Sequence, residues 1–120
     1  MPFDPAQIVD AQILAYEAGD TDEFAALYAE DAVCVALPSG RVIAAGRAQI
    51  AEVWGAMFAR SKREVTIAQR IIDGRYVIDA EQVRILATGQ LVEAAAIYLV
   101  GDGLIERVWF LDQPTPSSAP

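Results

Sequence analysis

Histidine is absent from this 120-residue sequence, and cysteine occurs only once, at Cys34. Histidine is the residue used most often for proton transfer near neutral pH, and it is the commonest zinc ligand. Its absence excludes Ser–His and Cys–His nucleophile pairs. A single cysteine forms no internal disulfide, which is typical of a reducing compartment, and we expect Cys34 to pack as a small hydrophobe.

Basic residues are also scarce. Nine Lys and Arg against 17 Asp and Glu give a formal net charge of −8, which disfavours nucleic acid as a partner. The one basic cluster, "ARSKRE" at 59–64, is typical of a solvated helix end. No spaced-carboxylate motif such as an EF-hand loop is present, so we expect neither a metal nor a cofactor.

Long hydrophobic runs are missing as well. No stretch is long enough to cross a bilayer, and the N-terminus lacks a basic region followed by an apolar one. We therefore expect a cytoplasmic protein with no membrane partner. Since 54% of the residues are hydrophobic, the chain should fold as one domain over residues 1–112. "QPTPSSAP" at 113–120 is predicted to be a mobile tail.

Three segments have helical periodicity. "DPAQIVDAQILAYEAG" has Asp4 as a cap and Pro5 at the first helical position, and it ends at Gly19. Asp20 caps a second, shorter helix of about two turns, whose predicted buried stripe is Phe24, Leu27 and Tyr28. "GRAQIAEVWGAMFAR" at 46–60 is the clearest helix.

The other segments are predicted strands. "AVCVAL" at 32–37 is followed by the short "RVIAA" and, after the third helix, by a meander of strands beginning with "EVTIAQRII". Asp73-Gly74 predicts a two-residue hairpin turn. In the next strand the alternation changes phase near Ala80, which predicts a β-bulge or bend there. Helices and a curved meander together indicate an α+β cone that encloses a cavity.

Three motifs resemble the NTF2-like superfamily, which includes ketosteroid isomerases, SnoaL-like polyketide cyclases and limonene-epoxide-hydrolase-type enzymes. They are "AYEAGDTDEFAALYAEDAVCVALPSG", "GRAQIAEVW" and "GDGLIERVWFLD". The resemblance implies a cone-shaped (cystatin-like) fold, in which a curved, mixed and mostly antiparallel sheet packs against three N-terminal helices. It says little about activity, because this fold hosts many functions.

The catalytic residues of the superfamily are mostly missing. In the ketosteroid-isomerase pattern the helix-1 tyrosine falls on Gln12, and the base falls on Ala36 or Leu37. The protonated aspartate falls on Tyr98, or on Ala96 with a different gap. No acid therefore stands at the base position.

Functional residues of the other subfamilies are also missing from this chain. Cyclases carry polar or acidic residues on the last strand, where this chain has Val108 and Phe110. The Arg-x-Asp pair of the epoxide hydrolases and the histidines of scytalone dehydratases are both absent. Trp54 matches an aromatic on the third helix, which predicts a cavity wall there.

Four residues are candidates for polar or aromatic contacts with a ligand. Tyr98 follows small alanines on one strand face and either aims its hydroxyl into a cavity or is an ordinary core tyrosine. Gln12 and Tyr16 form an i, i+4 pair on the inner face of the first helix. Gln12 either binds a ligand or satisfies the backbone of the sheet. Trp54 is predicted to be core or cavity wall.

Glu81 and Asp112 are the acids predicted to point inward. A carboxyl group in an apolar cavity has a raised pKa and can serve as acid or base. The alternative for each is a solvated acid, and the face of Glu81 depends on the predicted bulge. Asp73 and Asp79 are explained as turn and bend residues.

The opposite face of the last two strands is apolar, with Ile97 and Leu99 on one strand and Arg107 and Trp109 on the other. We expect this convex face to form an isologous homodimer.

Three functions remain open. The first is binding of a small apolar or aromatic molecule in the cavity, with Gln12, Tyr16, Trp54, Tyr98, Val108 and Phe110 as its contacts. The second is an isomerase or cyclase-like lyase that uses Asp112 or Glu81 for proton transfer. The third is a non-catalytic dimerisation or partner-binding module whose cone is filled by its own side chains.

Overall fold

The computed structural model describes residues 4–111 as three helices and six strands. The elements in chain order are α1 (Pro5–Ala18), α2 (Thr21–Ala26), β1 (Tyr28–Leu37), β2 (Val42–Ala45), α3 (Arg47–Arg60), β3 (Arg63–Asp73), β4 (Tyr76–Ile85), β5 (Gln90–Val100) and β6 (Ile105–Leu111). Among these residues no helix is both long and apolar enough to span a membrane. The predicted tail at 113–120 and Asp112 lie outside the described residues.

All six strands form one sheet in the order β2-β1-β6-β5-β4-β3. Only the β1–β6 pair is parallel, and the other four pairs are antiparallel. The predicted α+β fold with a mixed, mostly antiparallel sheet is confirmed.

Short-range signals in the sequence begin and end the first two helices as predicted. The Asp4 side chain accepts a hydrogen bond from the backbone N–H of Ala6, and Pro5 begins α1. Gly19 ends this helix in the left-handed conformation, with φ 67°, which glycine adopts without strain. Asp20 then accepts from the N–H of Glu23 and caps α2.

The second helix is shorter than predicted. It ends at Ala26, and Tyr28 begins strand β1 instead of extending the helical stripe. Long-range partners cause the difference. Ile105 donates its backbone N–H to the carbonyl of Leu27, and Arg47 donates two hydrogen bonds, of 2.9 and 2.7 Å, to the carbonyl of Tyr28. Tertiary pairing outweighs helix propensity at this boundary.

The hairpin between β3 and β4 is one residue away from its predicted place. Asp73 is the last paired residue of β3, directly opposite Tyr76, so the two-residue turn consists of Gly74 and Arg75. Gly74 has φ 60°, a conformation that suits a residue without a Cβ atom.

The predicted bulge in β4 near Ala80 is wrong. Strand β4 pairs with β5 without interruption, and its inner face runs through Val77, Asp79, Glu81 and Val83. The irregularity lies across the ladder in β3, where Ala68 is the extra residue between the partners of Glu81 and Ala80. The alternation misled the prediction because Tyr76 and Ile78 lie on the outer face.

Aromatic side chains fill the narrow end of the core around Phe24, which is fully buried. Its ring centroid lies 5.2 Å from that of Tyr28, 5.7 Å from that of Trp54 and 5.4 Å from that of Phe58. Such separations suit offset and edge-to-face packing. Cys34 is buried in the same core, as predicted, and burial raises the pKa of its thiol to about 12.

Asp79 was predicted to be a bend residue, and this prediction is wrong because Asp79 lies within strand β4. Its side chain is fully buried on the inner face of β4, and both oxygens accept hydrogen bonds from Arg70 on β3, from Nε at 2.7 Å and from Nη2 at 2.9 Å. The third guanidinium nitrogen, Nη1, lies 2.7 Å from the carboxylate of Asp10 on α1. Arg70 therefore ties the first helix to the sheet.

The ion pair between Arg70 and the buried Asp79 contributes to stability in a way that can be tested. The Arg70→Met variant leaves the Asp79 carboxylate buried without a partner, and we expect a loss of about 3 kcal/mol in the free energy of unfolding, measured by urea denaturation. The matched control is Arg84→Met, since Arg84 and Glu64 form an exposed pair separated by 3.9 Å. It should cost no more than about 0.5 kcal/mol. Equal losses of unfolding free energy in both variants would show that the buried Arg70–Asp79 pair contributes no more than an exposed one.

Candidate functional site

A cavity of about 280 Å³ lies between the helices and the inner face of the sheet. Most of its wall is aliphatic or aromatic, and its polar groups belong to a few side chains. The lining residues are Gln12, Ile13, Tyr16, Ile43, Val53, Trp54, Met57, Val65, Glu81, Ala94, Tyr98 and Phe110. Helices α1 and α3 contribute half of them, and strands β2 to β6 contribute the rest.

Small residues on β5 create room for this cavity. Ala94 lies opposite Glu81 in the β4–β5 ladder, and Ala96 lies opposite Asp79. The neighbouring Tyr98 is 2% exposed and lines the cavity. Burial raises the pKa of its phenol well above the ordinary value, and the nearby charge of Glu81 raises it further. Tyr98 is therefore a neutral hydroxyl at physiological pH.

Gln12 lines the cavity from α1 and is only 5% exposed. Its amide nitrogen donates a hydrogen bond of 3.4 Å to the hydroxyl of Tyr28, whereas its amide oxygen Oε1 is buried and has no hydrogen-bond partner in the part of the chain that the structure describes. A buried amide oxygen in this state is costly, since it has left water without gaining another donor. Gln12 thus offers an acceptor that its own fold leaves unused.

Glu81 points inward and lines the cavity, which the sequence analysis left open. Among the described residues neither carboxyl oxygen has a recorded hydrogen bond, and Oε2 is fully buried. Burial raises the pKa of this carboxyl group to about 7. Asp79 adds to the increase, and Arg70 opposes it. Near neutral pH the group is close to half protonated.

Tyr16 faces the same cavity one helical turn after Gln12. Burial raises the pKa of its phenol, and the positive charge of Arg63 partly offsets that increase. The Arg63 nitrogen Nη1 is buried, and no residue between positions 4 and 111 accepts a hydrogen bond from it. Nothing in the local pattern of β3 distinguishes Arg63 from a solvated cation.

The last strand contributes one of its two predicted contacts. Phe110 lines the cavity, with its ring centroid 5.9 Å from that of Trp54. Val108 is fully buried in the core and is not among the lining residues. Its strand neighbours are Cys34 on β1 and Tyr98 on β5. Ile13, Val53 and Met57 line the cavity from α1 and α3, and Ile43 and Val65 line it from β2 and β3. None of these five residues was predicted from the sequence as a ligand contact.

The four residues predicted for a dimer interface lie on the opposite side of the sheet. Ile97, Leu99 and Trp109 are half-buried, Arg107 is exposed, and the Arg107 guanidinium carbon lies 5.8 Å from the ring centroid of Trp109. The homodimer through this face stays a prediction.

Metal-binding side chains do not cluster in the part of the chain that the structure describes. Residues 4–111 contain no group of three or more Cys, Asp or Glu side chains that could hold a metal ion. The positions that match the ketosteroid-isomerase base, Ala36 and Leu37, are apolar and lie on β1, away from Glu81 on β4.

Residues 9–108 match the SnoaL-like domain family. The chain belongs to this family. No curated protein matches the sequence at a significant level.

Solved structures of similar shape have NTF2-like and cystatin-like folds. An uncharacterised cystatin-fold protein from Novosphingobium aromaticivorans is 24% identical, with 92% of this chain and 100% of that chain covered and a TM-score of 0.81. An NTF2-like protein of unknown function from Cytophaga hutchinsonii is 15% identical, with 98% and 96% covered and a TM-score of 0.73. A candidate ketosteroid isomerase from Kribbella flavida is 19% identical, with 93% and 82% covered and a TM-score of 0.74. At these identities the likeness establishes the fold alone.

The raised pKa of Glu81 predicts a pH-dependent stability. Between pH 4.5 and 7 the folded state keeps a proton on Glu81 that the unfolded chain has lost, so the free energy of unfolding decreases as pH rises through this range. We expect this group to contribute a decrease of about 3 kcal/mol. It is measured as the difference between the wild type and Glu81→Gln in urea denaturation at several pH values.

The matched control is Glu93→Gln, which removes an exposed carboxyl group from the neighbouring strand. Its stability should follow that of the wild type at every pH. If the Glu81→Gln curve also runs parallel to the wild type, the Glu81 carboxyl group is not desolvated.

Proposed function

We propose that this protein binds a small apolar or aromatic molecule in the cavity between its helices and its sheet. The observation that carries the proposal is a hollow of about 280 Å³ whose wall is mostly apolar and includes the Glu81 carboxyl group, which has no hydrogen-bond partner within residues 4–111. Ligand sites are typically concave and apolar, with a few polar groups that fix orientation. The volume is near the lower end of their range, which favours a small ligand.

The arrangement of large and small side chains supports binding over a purely structural module. Ala94 stands opposite Glu81, where a larger residue on β5 would fill the space. A cone built only for dimerisation would gain stability from tighter packing, since each unfilled methylene volume costs about 1 kcal/mol. An open cavity beside a desolvated acid has a cost that ligand binding would explain.

Paired alanine substitutions test the cavity directly. Ala94→Leu inserts three carbons into the cavity, whereas Ala95→Leu adds the same carbons to the outer face. With 2-(1-naphthyl)ethanol as the probe, calorimetry should give an affinity at least about tenfold weaker for Ala94→Leu, and within about twofold of the wild type for Ala95→Leu. Thermal unfolding checks that both variants fold. Equal affinities in both variants would place the probe outside the cavity.

One observation favours an enzyme as the second candidate. Glu81 faces the cavity together with Tyr98, and its pKa of about 7 suits a general base near neutral pH. In an isomerase the Glu81 carboxylate would take a proton from a carbon next to a ketone and return it to another carbon. The Tyr98 hydroxyl would donate a hydrogen bond to the enolate oxygen. A cyclase-like lyase would use the same acid–base group, and Asp112 lies outside the described residues.

The proton-transfer role predicts a pH profile. With a cyclic β,γ-unsaturated ketone as substrate, formation of the conjugated enone should rise with pH and level off above about 7, as Glu81 ionises. Glu81→Gln should lower the rate by at least about 100-fold, and Glu93→Gln should leave it unchanged. An isomerisation rate that Glu81→Gln does not affect would remove this second function and leave ligand binding intact.

A further inference from the structure

We infer that the ligand of this cavity carries a protonated amine, which the Glu81 carboxylate binds while the aromatic wall holds the apolar part of the molecule. The inference rests on the proposed binding function and adds the chemical class of the ligand. The cavity contains hydrogen-bond acceptors that lack donors, together with aromatic ring faces that attract cations.

The polar atoms around the cavity are mostly acceptors. The Glu81 carboxyl group has no recorded hydrogen bond among the described residues, and Gln12 Oε1 is buried without a donor. The amide nitrogen of Gln12 donates one of its two N–H groups to the Tyr28 hydroxyl. Tyr16 and Tyr98 are the other polar lining residues, and a hydroxyl both donates and accepts. A ligand that donates several hydrogen bonds satisfies this set, and an ammonium group donates three.

Four aromatic residues from four different elements line the cavity, which suits a cationic ligand. Trp54 on α3 and Phe110 on β6 lie with their ring centroids 5.9 Å apart, and Tyr16 and Tyr98 line the cavity from α1 and β5. A desolvated cation over such ring faces gains an electrostatic attraction that an equally sized neutral group lacks.

No cationic side chain lines the cavity among the described residues. Arg70 on β3, whose charge acts on Glu81, is held by both oxygens of Asp79 and by Asp10, so its guanidinium group is not free to pair with Glu81. Arg63 acts on Tyr16 but is not a lining residue. The net charge of −8 also raises the local concentration of cations around the protein.

The protonation of Glu81 gives the proposal a signature in pH. The titratable or charged groups that interact with it are Asp79 on β4, Arg70 on β3, Tyr98 on β5, Tyr28 on β1 and Tyr16 on α1. The lining residues of α3 are not titratable. With a pKa of about 7, Glu81 must lose a proton before an ammonium group binds. Amine affinity should therefore rise about tenfold per pH unit below 7 and level off above it.

A pair of nearly isosteric probes separates charge from shape. We would measure binding of 2-(1-naphthyl)ethylamine and 2-(1-naphthyl)ethanol by calorimetry between pH 5 and 8. At pH 8 the amine should bind at least about tenfold more tightly than the alcohol, the typical advantage of a charge-assisted hydrogen bond. Between pH 5 and 6 the amine affinity should rise about tenfold, and alcohol affinity should change by less than about twofold.

Two variants locate the effect. Glu81→Gln should remove the preference for the amine and keep alcohol binding, whereas Glu93→Gln removes the same charge from the outer side of β5 and should keep the preference. Should Glu81→Gln fail to fold, the pH dependence of the wild type still decides.

Each outcome bears on the proposal. Alcohol binding as tight as amine binding, with no rise in amine affinity between pH 5 and 7, overturns the amine assignment and leaves the cavity as a binding site. A preference for the amine that survives Glu81→Gln overturns the role of Glu81. If neither probe binds to the wild type at any pH, the amine assignment fails together with the proposed function.

Discussion

Arg70 joins two parts of the fold that would otherwise be independent. Its guanidinium group is held on one side by the buried carboxylate of Asp79 and on the other by Asp10 on α1. Because charged groups are costly to bury unless they are paired, this geometry fixes the position of α1 against the sheet. It also determines which groups of that helix face the cavity, and the buried pair keeps the guanidinium group away from Glu81. Burial is the main reason that the pKa of Glu81 is raised, and the negative charge of Asp79 adds to the increase while Arg70 opposes it.

The extra residue Ala68 makes this pairing geometrically possible. Before the bulge, Val65 and Ile67 face inward, and without an extra residue Arg70 would lie on the outer face. The bulge changes the phase of β3, so Arg70 comes to lie opposite Asp79 on the inner face. A single added residue therefore decides whether β3 presents a cation to solvent or to the buried acid.

Residues with strong local signals were predicted well from the sequence. Asp4, Gly19 and Asp20 bound the first helices as expected, because a cap depends on neighbours within a few residues. Boundaries set by distant partners were not found, such as the start of β1 at Tyr28, which depends on Arg47 and on β6. The bulge in β3 was not found, and one was wrongly predicted in β4 because the outer residues Tyr76 and Ile78 are themselves apolar. Asp79 was missed because its partner Arg70 is close only after the hairpin forms.

Some residues of the candidate site could be predicted from the sequence, and others could not. Tyr16, Trp54 and Tyr98 lie on the cavity wall. Regular helical or strand spacing predicted their inward faces, but it left open whether Trp54 and Tyr98 belonged to the core or to a cavity wall. Whether Glu81 faced inward depended on the register of β3 and β4, which one sequence does not determine.

Members of the SnoaL-like family share one architecture. In this chain the cavity acid, Glu81, lies on β4, whereas the base of the ketosteroid-isomerase pattern comes just after the first strand. The position of the acid changes what the same hollow can do. At Ala36 or Leu37 a carboxylate would lie beside β2 and β6, whereas Glu81 lies between Ile67 and Ala94 and two residues from a paired, negatively charged Asp79. That neighbour disfavours the ionised form of Glu81 and so adds to the effect of burial. A cation entering the cavity would reverse both effects at once, because it would pair with Glu81 and weaken the repulsion from Asp79. Under the proposed binding of an amine, the energetic cost of burying Glu81 would therefore also be the source of the preference for a cation.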